Sequence, residues 1–129
     1  MASSQSDYLR KAASFLGASG VALGAIGAHA FKETLTKRGT LANWQTATMY
    51  QLFHAVALLG IAAQGESIPA LAGNLLASGT VMFSGSIYCL CLGVGPKPIL
   101  GPTTPLGGLL MIGGWVIVGL EDKSSEKKK

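Results

Sequence analysis

Charge is absent from four long stretches of this chain: residues 12–31, 39–65, 67–96 and 98–120. Each is at least as long as the roughly 20 residues a helix needs to cross the hydrocarbon of a bilayer. Backbone polar groups find no partner in lipid, so a chain built of such runs satisfies them internally as helices. The expected fold is therefore all-α, an integral membrane bundle of four transmembrane helices with short loops. The spans are expected at about 12–30, 45–63, 70–92 and 106–120, behind a flexible segment at 1–11 and before a basic flexible tail at 121–129. They use nearly all of the 129 residues, so a separate soluble domain is not expected. Only 12% of residues are charged, about half the share of a soluble domain.

The first span carries two stripes of small residues. Gly17, Gly20, Gly24 and Gly27 form one, and Ala18, Ala22, Ala25 and His29 the other, nearly opposite. Small residues at this spacing let helices approach closely in lipid, and packing within the chain or between chains would use them equally. Arg10-Lys11, the apolar run and Ala28-His29-Ala30 also imitate a secretory signal peptide. Against that reading, the run is long and rich in glycine. Residues 31–43 read as a short amphipathic piece at the surface or as a solvated loop. Residues 93–105, with four prolines and three glycines, read as a loop. Trp44 and Trp115 are expected to anchor opposite interfaces.

The net charge of +4 is spread over loops and ends, which argues against nucleic acid as a partner. Six cations on the side of the termini against four on the other side bias the termini toward the inside. Cys89 and Cys91 point about 200° apart on a helix and read as small buried hydrophobes.

The chemistry-bearing residues gather in one half of the membrane. Tyr50, Gln51 and His54 share a helical face with Ala47, Ala57 and Leu58. Threading the four spans brings His29, Ser84, Tyr88 and Thr104 to the same half. An intramembrane polar cluster of His29, Tyr50, Gln51, His54, Ser84 and Tyr88 is either a hydrogen-bonded clasp or a small proton or solute conduit with His54 as its titrating group. Two histidines make a thin set for a metal or haem. No Asp or Glu lies in a span to serve as general acid or base, so neither enzymatic activity nor a cofactor is expected. An enzyme acting on lipid would have to rely on Tyr and His alone. The expected partners are the bilayer and either a larger membrane complex or a second copy of the chain.

Six segments carry a resemblance: GAIGAH (24–29), WQTA (44–47), YQLFHA (50–55), FSGSIYCL (83–90), TPLGG (104–108) and GGW (113–115). In this order they resemble the small multi-pass membrane proteins catalogued as domain of unknown function 423, a transmembrane protein 256-like family. The resemblance covers about residues 17–119. It implies four spans, in the plasma membrane of a bacterium or the mitochondrial inner membrane of a eukaryote. It implies no activity.

Overall fold

The structure, a computed structural model, describes residues 4–121. Five α-helices follow in order: α1 (Ser4–Ala28), α2 (Lys32–Lys37), α3 (Leu41–Ala63), α4 (Ala70–Leu92) and α5 (Lys97–Leu120). All but α2 are long and apolar enough to cross a membrane. The described residues form no strand, so the all-α bundle is as expected.

Successive long helices run antiparallel. The ends of α1 and α4 meet α2 and the starts of α3 and α5 on one side. A tight turn at Gly65–Ser67 joins α3 to α4 on the other. The closest packing runs α1 on α3, α3 on α4 and α4 on α5. α3 and α4 are the inner pair. α1 and α5 each bury one narrow stripe, and α5 buries only Gly107, Met111 and Gly114. Outward faces carry large apolar side chains such as Phe15, Phe53, Ile112 and Val116, which is the distribution a lipid solvent asks for. The core joins Leu9, Leu16, Leu58, Leu76 and Met111. A second cluster, Leu35, Trp44 and Tyr88 among it, lies beside α2.

Three helix starts differ from expectation: α3 begins four residues early, at Leu41, and two others differ by more. α1 begins at Ser4, eight residues before 12. Leu9, Ala13 and Leu16 continue one stripe at helical spacing, and Leu9 packs on Gly73 of α4. Asp7 sits in the first turn, where the helix dipole favours it, and pairs with Arg10 at 3.3 Å. Arg10 and Lys11 mark where charge is tolerated, not where the helix starts. α5 begins at Lys97 rather than 106. Pro98 falls in the first turn, where its missing N–H is no loss. Pro102 and Pro105 are accommodated within the helix, since a proline deprives it of one bond each and leaves the rest. The expected basic tail lies, apart from Glu121, outside the described residues.

Within 31–43, Lys32–Lys37 form the short helix α2 at the bundle end, with Leu35 fully buried, and 41–43 already belong to α3. It is tied to the end of α4. Arg38 Nε donates to the Cys91 carbonyl at 2.8 Å and Thr40 Oγ1 to the same atom at 3.1 Å. A guanidinium at a helix C-terminus also opposes the negative end of the dipole. Gly93 closes α4 at φ +69°, and Val94 N–H reaches back to the Cys89 carbonyl, the bond that ends many helices this way.

Candidate functional site

The glycine stripe of α1 faces α3. A Cβ at Gly24 would press on Thr48 at 3.1 Å, one at Gly20 on Leu52 at 2.8 Å, and one at Gly27 would fall on the Trp44 indole nitrogen. Gly17 has more room, with Ala55 at 3.9 Å. The stripe is used within the chain. It lets α1 come close enough for three α3 side chains to reach across.

Gln51 is the centre of what they build. Its Nε2 donates to the Leu16 carbonyl at 2.9 Å and to Ser19 Oγ at 2.8 Å, and its Oε1 accepts from the Tyr88 hydroxyl at 2.7 Å. The carbonyl of Leu16 can only accept, which fixes which end of the amide faces α1. Ser19 passes its own proton to the Phe15 carbonyl at 2.7 Å. Thr48 donates to the Trp44 carbonyl, and Trp44 Nε1 donates across to the Leu23 carbonyl at 2.9 Å. Ser84 Oγ donates from α4 to the Ala47 carbonyl at 2.7 Å. α1, α3 and α4 are thus bolted together along the first half of α3 by side chains that bond to a neighbouring helix's backbone or polar groups.

His54 belongs to a separate group. Its Nδ1 lies 2.7 Å from the Tyr50 carbonyl on its own helix, and its Nε2 lies 3.1 Å from Trp115 Nε1 on α5. An indole N–H only donates and a carbonyl only accepts. The ring must therefore carry its proton on Nδ1 and accept on Nε2, and both nitrogens are committed. Nitrogen NMR of histidine-labelled protein in detergent is expected to report the Nδ1–H tautomer for His54. The Nε2–H tautomer would mean that the Trp115 bond is not made. A third set, Ser86 with Thr104, joins α4 to α5.

Three expectations need correction. His29 is exposed at the end of α1 and takes no part in either group. It lies in the stripe opposite the glycines, so once the glycines face α3 it must point away. Trp44 is no interface anchor: it is 2% exposed, packed against Tyr88 with ring centroids 4.7 Å apart. Trp115 stands five residues before the end of α5, on the side away from Trp44, and its indole donates to His54 Nε2 at 3.1 Å. The buried face of α3 takes in Ala47, Gln51, His54 and Leu58 of the expected six, and it is widened by Trp44, Thr48 and Ala55. Tyr50 stands at its edge, 39% exposed, against Phe83.

Ser19, Thr48 and the indole of Trp115 were missing from the expected cluster. Thr48 had a signal, since it is four residues after Trp44 and three before Gln51. Ser19 and Trp115 had none, because their partners are on other helices. Among the described residues, no buried side-chain nitrogen or oxygen lacks a hydrogen bond, and no three His, Cys, Asp or Glu side chains group as metal ligands would.

The family model described as protein of unknown function (DUF423) matches residues 23–108. A UPF0382 membrane protein of Schizosaccharomyces pombe is 39% identical over 109 residues, which is 80% of this chain and 91% of the relative. A UPF0382 membrane protein of Staphylococcus epidermidis is 42% identical over 101 residues, 76% of this chain and 80% of the relative. The UPF0382 inner membrane protein YgdD of Escherichia coli is 38% identical over 103 residues, 76% of each. No solved structure matches the chain.

Proposed function

The chain belongs to the DUF423 family of membrane proteins, and from that premise we propose that it is a non-catalytic structural or accessory membrane subunit. Its intramembrane polar groups form the clasp that sets how its helices pack. The observation that carries this reading is the closed hydrogen bonding of Gln51: three bonds, all to groups of this chain. A catalytic or conducting group has to keep a donor or acceptor free for a substrate or a proton. A clasp has to leave none free, because a spare polar atom in hydrocarbon is costly.

The conduit reading would route protons through His54 and Tyr50. It is disfavoured because the ring nitrogens are taken by Tyr50 and Trp115, and the Gln51 and His54 groups share no hydrogen bond. Since α3 fills the glycine stripe, a partner would meet lipid-facing sides instead, such as those carrying Phe15, Phe53, Val81 or Ile112. The location that goes with this role is a bacterial plasma membrane or, in a eukaryote, the mitochondrial inner membrane. The name of the E. coli relative supports the bacterial location.

Native mass spectrometry of protein extracted gently from its own membrane tests the role. A larger assembly or a homo-oligomer is the expected result, and a lone monomer from both native membrane and mild detergent would sink it. Reconstituted liposomes test the clasp. Proton flux is expected to match that of empty liposomes, whereas flux that His54→Ala removes would replace the clasp by the conduit.

A further inference from the structure

Where α3, α4 and α5 meet beside α2, they enclose a cleft of about 410 Å³. Ile87, Leu90 and Pro105 give it apolar walls, and Thr40, Asn43, Thr46 and Thr104 set polar groups among them. The three hydroxyls are already used. Thr40 donates to the Cys91 carbonyl at 3.1 Å, Thr46 to the Ala42 carbonyl at 3.1 Å, and Thr104 to the Leu100 carbonyl at 3.3 Å.

One acceptor in the wall is different. In an α-helix the N–H of residue 105 would bond to the carbonyl of residue 101. Residue 105 is proline and has no N–H. Gly101 lines the cleft, and a Cβ built there would meet nothing within 4 Å, so the wall is open at this residue. Among the described residues no side chain donates to it. A bare carbonyl one helical turn into a membrane helix calls for a donor from outside the helix.

Two cations stand beside residues of the same cleft, although neither lines it. Lys97 lies four residues before Gly101 and so on the same face of α5. Arg38 is held there by its Nε bond to the carbonyl of Cys91, which also lines the cleft. Cations beside the cleft, a donor-seeking carbonyl one turn deeper, and apolar walls beyond match three parts of one molecule.

We propose that this cleft seats a phospholipid whose head group carries N–H donors. Its phosphate lies against Lys97 and Arg38, its ammonium donates to the Gly101 carbonyl, and its acyl chains run over Ile87 and Leu90. A trimethylated head group offers the same charge and shape class but no N–H, so the carbonyl discriminates between the two.

The test uses the full chain in mild detergent with an equal mixture of phosphatidylethanolamine and phosphatidylcholine of matched acyl chains. Bound lipid is counted by native mass spectrometry. The ethanolamine lipid is expected in about tenfold excess, the ratio one charge-assisted hydrogen bond sets. Pro105→Ala restores the missing N–H to Gly101 and is expected to bring the two lipids to parity. Pro102→Ala restores an N–H to the carbonyl of residue 98, which does not line the cleft, and is expected to keep the excess. Both changes put a strong helix former in place of an interior proline, so both variants fold. Equal binding of the two lipids by the unmodified protein overturns the proposal. So does an excess that survives Pro105→Ala, or one that Pro102→Ala removes.

Discussion

Gly107→Ala is expected to lower the stability of the bundle by about 3 kcal/mol, the upper part of the range for overpacked interiors. α4 and α5 approach most closely where Gly79 faces Gly107. A Cβ at 107 would lie 2.7 Å from the Gly79 carbonyl oxygen, and one at 79 would lie 2.6 Å from the Gly107 carbonyl oxygen and 2.8 Å from the Met111 nitrogen. All of these are backbone atoms. No rotamer change relieves them, so the helices must separate and lose the contacts around Leu76 and Met111. Gly20 and Gly73 differ in kind: a Cβ there meets the branched ends of Leu52 and Leu9, which can turn aside. Gly85 has nothing within 4 Å. Gly85→Ala should be neutral or gain the roughly 0.5–1 kcal/mol by which alanine exceeds glycine in a helix. Denaturant titration of the detergent-solubilised variants should rank Gly107→Ala as most damaging, then Gly20→Ala, then Gly85→Ala. Equal losses at Gly107 and Gly85 would mean that the two backbones do not touch.

This ranking also marks how far the sequence could be read. Runs without charge revealed the four spans, because a bilayer excludes charge whatever the helices do with each other. They did not reveal where helices begin. The chain at Arg10 and Lys11 leaves the hydrocarbon while staying helical, and the prolines at 98, 102 and 105 deprive α5 of single bonds without ending it. Depth in the membrane was legible from threading. It put Gln51, Ser84 and Tyr88 in one half of the bundle; Tyr88 bonds to Gln51, and Ser84 to the Ala47 carbonyl one turn earlier. Azimuth was legible in α1, where the glycine stripe and the His29 stripe oppose each other, yet depth alone was used to group His29 with the rest. What no local pattern carries is a pair such as Gly27 and Trp44. The gap left by one is filled by the other's indole, 17 residues along the chain and one helix away. Tryptophan is common at membrane interfaces, so its residue type pointed to an anchor. The Leu23 carbonyl and the missing Cβ decided otherwise.

Gln51→Leu is expected to cost about 2 kcal/mol. Hydrogen bonds between membrane helices average about 0.6 kcal/mol each, and Gln51 makes three. Leucine is of similar size, so packing is little disturbed and the loss reports mainly on polar groups. Tyr88 then loses its strong acceptor and keeps only a 3.4 Å approach to Thr48 Oγ1. Tyr88→Phe removes the same bond from the other side and should cost about 1 kcal/mol, leaving Gln51 still bonded to α1. The double variant separates the two causes. If Tyr88 and Gln51 act on each other, its loss should fall short of the sum of the single losses by at least about 0.5 kcal/mol. Additivity within about 0.3 kcal/mol would show that the 2.7 Å contact contributes nothing of its own. The clasp reading also requires that none of the three variants create or abolish proton flux in liposomes. A change in flux on breaking the Tyr88–Gln51 bond, with the bundle still folded, would mean that the bond guards a path and not only a packing arrangement.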